Sequence, residues 1–230
     1  MTLPIHVALI ADGVEISLPE LMTVAAALQK QATYDFSPIW NVDATVNAFA
    51  SLETMPNGYW PIIVKDHLAD PRAGGFHTDA QGQPFALVLK TDSWPKAASH
   101  ECMEMLADPF GNRLIAGPGG NHSYLVEVCD PCEEGGYTVN GLLLSDFVTP
   151  AYYDTIKVPG VRYSFTGRID GPRLLGRGGY VSWLDPATKH WWMRSWFGAI
   201  PTEEDLGRLS SRSLRSGIDV IVRGRKAGLH

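Results

Sequence analysis

Cysteine is scarce in this chain, with three in 230 residues, and the sparse set Cys102, Cys129 and Cys132 is not the disulfide framework of a small secreted domain. Cys129 and Cys132 flank an Asp-Pro pair without the strand-to-helix setting of a thioredoxin-type redox motif, so redox chemistry is not the leading reading. No uninterrupted apolar run reaches the ~18 residues that a membrane-spanning helix needs. The first residues enter an apolar stretch at 3–11 without a basic leader or a cleavage site, which gives the expectation of a protein that stays in the cytoplasm. Basic charge is also in deficit. Lys and Arg number 19 against 25 Asp and Glu, a net charge of -6, and the locally basic tail at 212–226 reads as a solvated helix face. Neither nucleic acid nor membrane is therefore expected as a partner. Internal repeats, heptads, phosphate loops and dinucleotide fingerprints are missing too, since the glycines at 176–179 lack a strand before them and a helix after.

What remains is a globular composition, 45% hydrophobic and 19% charged, long enough for one generous domain or a domain with a smaller lobe. Residues 5–11 read as a first strand ending at the Asp12-Gly13 turn. Ser17, Pro19 and Glu20 open a helix that runs to about Gln31. Residues 35–41 and 42–49 supply one or two strands around Trp40, and 60–65 and 85–90 supply two more. The turn-rich stretch 66–83, containing Gly74-Gly75-Phe76-His77, reads as a loop with a short edge strand.

The most informative segment is 99–109. Ser93 or Asp92 caps, Pro95 suits a first turn, and Pro109 ends the run, so the spacing predicts a helix of three to four turns. At about 100° per residue, Ala98, Cys102, Met105 and Leu106 fall on one side, and His100, Glu104 and Asp108 on the other. His100 and Glu104 stand one turn apart, close enough to hold one metal ion, with Glu101 beside them as general base for a metal-bound water. The arrangement is H-E-x-x-E, the zinc-protease H-E-x-x-H with its second histidine replaced by a carboxylate. The competing reading is an amphipathic helix that shows acidic residues to water.

A catalytic metal needs a third protein ligand, and Asp108, Glu127, Asp130 and His122 are candidates. Glu127 is preferred, because a short strand following residue 124 would return it from outside the helix. Asp108 lies two turns from His100 with a drift of roughly 80°, so it joins through a bent helix end or acts behind the ligands. Taken together, His100-Glu101-x-x-Glu104-x-x-x-Asp108-Pro109, then Asn112, then Glu127-Val128-x-Asp130-x-Cys132 resembles the H-E-x-x-E…D-P…N…E-[IV]-x-D-x-C pattern of a zincin-like metallopeptidase group. That group is distantly like the plant phosphate-induced (EXORDIUM-like) proteins. The resemblance implies an α+β fold: a zincin-like mixed β-sheet with a backing helix and an active-site helix. It also implies zinc held by His100, Glu104 and a further carboxylate. Carboxylate in place of imidazole hardens the site and brings manganese or iron into range.

From residue 161 the composition shifts to Gly-rich turns and tryptophans, with a hairpin tip at Asp185-Pro186-Ala187-Thr188, and Thr202 to Asp205 cap a final helix carrying Leu206, Leu209, Leu214 and Ile218. The expected organisation is a metal-binding domain at 1–160 and a smaller β-rich lobe with a terminal helix at 161–230, packed on the first as one unit. The expected function is a metal-dependent hydrolase of peptide or amide bonds acting on a peptide or protein substrate. The alternative is a catalytically silent zincin-like scaffold that binds metal or a protein partner. Substrate and oligomeric state stay open at this point.

Overall fold

Ile5–Ala11 forms β1, in which Val7, Ala8, Leu9 and Ile10 are all fully buried. A continuous apolar run of this kind suits a central strand covered on both faces. The computed structural model describes residues 3–69 and 74–209. Within them the chain is α+β, with strands in three sheets and a β-rich later part. None of the described helices is long and apolar enough to cross a membrane.

After β1, helix α1 (Leu18–Lys30) starts where the Ser17 hydroxyl accepts from Glu20 N at 3.3 Å. It buries Leu21, Val24, Ala25 and Leu28, one stripe at helical spacing. The chain does not then turn into the strand expected at 35–41. It widens into a π-helical segment, Gln31–Phe36, and closes with the short helix α2 (Ser37–Trp40). Phe36 and Trp40, four residues apart, stack at 6.0 Å and are both buried. Their packing outweighs the strand preference of aromatic residues. Asn41 ends the helix in the left-handed region, at φ 54°.

Strands β2 (Ala44–Ala48), β3 (Trp60–Lys65), β4 (Gly75–Ala80) and β5 (Gln83–Leu89) complete the first sheet, in the order β2-β1-β3-β5-β4. All neighbours are parallel except β4 and β5, which pair antiparallel across Gln81-Gly82. Both turn residues have positive φ, 55° and 81°, as the tight hairpin turn requires. The edge strand expected between 66 and 83 is therefore β4. Helix α3 (Trp94–Ala107) follows and packs against β3, β4 and β5.

The chain next forms β6 (Leu114–Ala116) and β7 (Ser123–Leu125), and then a hairpin of β8 (Gly136–Val139) and β9 (Leu142–Ser145). β9 packs on α3. Residues through Phe110 together with Gly136–Ser145 make one unit. Gly111–Gly135 and the described residues from Asp146 onward make the other. The division is interleaved, where composition suggested a single cut at 160. The cause is the hairpin, which belongs with α3 while the segments on either side of it do not.

In the second unit, β10 (Tyr180–Leu184), β11 (Trp191–Ser195) and β12 (Thr202–Gly207) extend β6 and β7 into an antiparallel sheet, ordered β12-β11-β10-β7-β6. Its core is Leu125, Tyr180, Trp191 and Met193. The tip between β10 and β11 is closed by Asp185, whose side chain accepts from Ala187 N at 2.8 Å. Residues 202–205, expected to cap a helix, are strand instead. They pair with β11, and Leu206 packs on the core. Leu214 and Ile218 of the expected terminal helix lie outside the described residues.

Candidate metal centre

Helix α3 does not show its polar side to water. Glu104 and Asp108 are 0% and 1% exposed, and Glu101 is 5% exposed, so the reading of a solvated acidic face fails. The reason is the cover on both sides of the helix, from the β4–β5 hairpin and from β9. His77, in the middle of β4, faces the helix from within the same unit and is fully buried. Its Nδ1 lies 3.6 Å from Glu101 Oε2 and 3.7 Å from Glu104 Oε2. His100 Nε2 lies 3.2 Å from the other oxygen of Glu104, Oε1. Glu104 thus turns one oxygen toward each imidazole. Of the four side chains, His100 has the most contact with solvent, at 13%.

β4 meets the helix closely because Gly75 has no side chain. A Cβ there would stand 2.9 Å from Glu101 Oε1 and 3.1 Å from the Leu87 carbonyl oxygen. In a strand alternate residues share a face, so Gly75 makes room for Glu101 and His77 follows on the same side. The far edge of the His77 ring is fixed as well, since Nε2 donates to the main-chain carbonyl of Asp108 at 2.8 Å. A carbonyl oxygen only accepts, so Nε2 carries the proton in that bond.

A carboxylate withdrawn from water is stabilised by positive charge close by. Imidazole nitrogens and carboxylate oxygens are the donors that zinc, manganese and iron accept. Glu104 with His77, and Glu104 with His100, bring ligand atoms within 4.8 Å of one another, and buried His, Glu and Cys groups of the chain could hold a metal ion. Comparison with protein-family models, with curated proteins and with solved structures finds no match.

Of the residues proposed from sequence, His100, Glu101 and Glu104 come together on α3. Asp108 is the C-cap of that helix, and its main-chain carbonyl is what reaches His77. Glu127, Asp130 and His122 belong to the second unit. The strand expected to carry Glu127 ends at Leu125, so the alternation of faces does not govern residues 127 to 130. Instead Val126 N donates to Arg113 O, and Asp130 begins a 3-10 turn through Cys132. The Tyr152 hydroxyl is wholly buried, and burial pushes its pKa well above the usual 10.0. The residue that sequence reasoning missed is His77. Its signal was a histidine in the middle of an edge strand, two residues after a glycine.

Proposed function

We propose that the cluster on α3 and β4 binds a divalent metal, zinc first with manganese or iron as alternatives, and that the chain is a hydrolase of peptide or amide bonds. The observation that carries this reading is the pair of buried carboxylates, Glu101 and Glu104, set against two imidazoles at 3.2 to 3.7 Å within one unit. A bound divalent ion supplies Lewis acidity, polarising a carbonyl oxygen and making water easier to deprotonate. His100 and Glu104 are its ligands. Glu101 takes the proton from the attacking water and returns it to the leaving amide nitrogen. Gly75 and His77 hold Glu101 between β4 and α3, and His100 marks the side from which a substrate approaches.

The resemblance to zincin-like metallopeptidases adds to this proposal, and a peptide or protein is the substrate class it implies. A second reading, a metal-binding scaffold without turnover, is favoured by the burial of Glu101 at 5% exposure, because a base must meet its substrate. Metal analysis of wild type and His100→Ala tests the common part. About one transition-metal ion per chain or more, lost in the variant, supports both readings; no metal in either protein removes them. Glu101→Gln then separates the two. Loss of turnover on a peptide library with metal retained supports the hydrolase, and turnover that survives the substitution rejects Glu101 as base.

A further inference from the structure

In the second unit, the connection between the 3-10 turn Pro150–Tyr153 and β10 opens with nine consecutive exposed residues, 154–162. Ile156 (68% exposed), Val158 and Val161 are among them, and Leu174 from the returning arm is exposed too. The two arms adjoin. Lys157 Nζ lies 2.8 Å from Asp170 Oδ1, and a Cβ placed on Gly171 would touch both Leu174 and Lys157. Aliphatic side chains gathered in this way on a surface mark an interaction site.

The chain holds this loop in one shape. Val161 N donates to Val158 O at 3.3 Å, with Pro159 at the first corner and Gly160, at φ 80°, at the second, which is a type II turn. From beneath, the buried Tyr163 hydroxyl accepts from Val158 N at 2.7 Å. Arg173 tethers the arm that carries Ile156. Its main-chain N donates to Tyr152 O and its guanidinium to Thr155 O, both at 2.9 Å. It does so at φ 57°, a left-handed conformation that costs a non-glycine residue free energy.

Charge indicates what meets the loop. Residues 154–179 carry five Lys or Arg against two Asp, a local charge of +3 in a chain whose net charge is -6. Lys157 and Arg162 alternate with the aliphatics along the exposed arm, and Arg168 is exposed as well. Protein contacts draw on aromatic anchors and use valine little; neither aromatic residue of this segment, Tyr163 or Phe165, is exposed. Aliphatics on a projecting turn with cations beside them suit a lipid surface instead, where the apolar tips enter the headgroup boundary and the cations meet phosphate. We propose that this loop docks the second unit on an anionic membrane surface, with Ile156, Val158, Val161 and Leu174 entering the lipid and Lys157, Arg162 and Arg168 facing its phosphates. The net charge, which spoke against a membrane partner, conceals this local reversal. The contact is peripheral, and none of its residues belongs to the metal centre.

The test is flotation of the full chain with phosphatidylcholine vesicles, with and without phosphatidylserine. Wild type is expected to float with the phosphatidylserine vesicles, far less with phosphatidylcholine alone, and to be released in about 1 M salt, where charges are screened beyond about 3 Å. Val158→Ser with Val161→Ser, which keeps Pro159 and Gly160, is expected to weaken binding about tenfold or more, and Arg162→Gln about fivefold. Met22→Ser, at an exposed aliphatic of α1, should change nothing. Wild type that stays off phosphatidylserine vesicles overturns the proposal, and so does a folded double variant that floats as well as wild type. If the double variant does not fold, an environment-sensitive dye on Val158→Cys decides, since the three native cysteines are buried. Its emission rises and shifts to the blue on vesicles if the turn enters lipid, and an unchanged spectrum rejects the proposal. Binding to immobilised polyglutamate without vesicle binding would assign the loop to an acidic protein and overturn it likewise.

Discussion

Ser99 donates its hydroxyl to Gln31 Oε1 at 2.7 Å, and both side chains are wholly buried. The same hydroxyl accepts from Ser145 N at 3.0 Å, while Gln31 Nε2 donates to Ser145 O at 2.9 Å. Three elements meet at this point: the π-helical segment, β9, and α3 at the residue before His100. The π-helical widening therefore has a role, since it sets Gln31 where it can bridge the other two. Ser99→Ala leaves Ser145 N and Gln31 Oε1 short of a partner. We expect a loss of about 1–3 kcal/mol, measured by urea unfolding, with a matching drop in metal affinity if the helix turns. An unchanged midpoint would show that the bridge is dispensable.

Gly75→Ala is expected to act on Glu101 more than on the metal. The added Cβ meets Glu101 Oε1 at 2.9 Å and the rigid Leu87 carbonyl at 3.1 Å. Side chain and strand must part. A displacement of about 1 Å costs about a hundredfold in turnover, so kcat falls while metal content holds near that of wild type. Equal loss of metal and activity would place the damage at the ligands instead.

Metal removal should be legible in stability. An ion that binds only the folded chain stabilises it by about 2.7 kcal/mol at a hundred times its Kd. For a chain of this size that corresponds to a rise in melting temperature of very roughly 5–10 °C. Chelation is expected to lower the melting temperature and zinc to restore it. In Glu104→Gln, which gives up the carboxylate facing both imidazoles, neither treatment should have an effect. A metal-dependent shift that persists in this variant would mean that the ion sits elsewhere.

Cys102 gives a pH signature. Burial pushes its thiol up from the usual 9.0 to about 12. The folded chain thus holds this proton over a range in which the unfolded chain releases it, and stability falls as pH rises. The contribution is fully present below pH 9 and is lost as pH approaches 12. Urea melts of wild type and Cys102→Ala should converge across that window as the wild-type advantage shrinks. Parallel pH dependence in the two proteins would refute the assignment.

Tyr152 invites a substitution that removes an atom without harm. Its hydroxyl is buried and has no hydrogen-bond partner among the described residues. Tyr152→Phe removes an unsatisfied polar group while keeping the ring, so stability should stay within about 1 kcal/mol of wild type or rise. A larger loss in thermal unfolding would indicate that the hydroxyl has a partner, such as a bound water.

Much of the fold is legible in the sequence where local signals are strong. The apolar run of β1, the Ser17 cap of α1, the strand at Trp60–Lys65 and the limits of α3 follow from patterning and punctuation. Errors gather where long-range packing decides. Phe36 and Trp40 read as strand until their stacking within a helix is known, and Thr202–Gly207 reads as a helix start until β11 offers it a ladder. The candidate centre divides in the same way. His100, Glu101 and Glu104 are visible as a spacing on one helix. His77 is visible only once β4 pairs with β5 and the following helix folds over both, because twenty-one residues of chain separate it from Ser99.

The β8–β9 hairpin imposes an order on synthesis. A ribosome releases the chain from its N-terminus, so α3 emerges before the strand that covers it, and Ser99 waits for Ser145 until 46 residues later. At about 5–20 residues per second that interval lasts roughly two to nine seconds. During it the helix bearing both carboxylates lacks part of its cover. The first unit is therefore not a piece that can be cut at Phe110 and kept, because its last strand is made only after the chain has already begun the second.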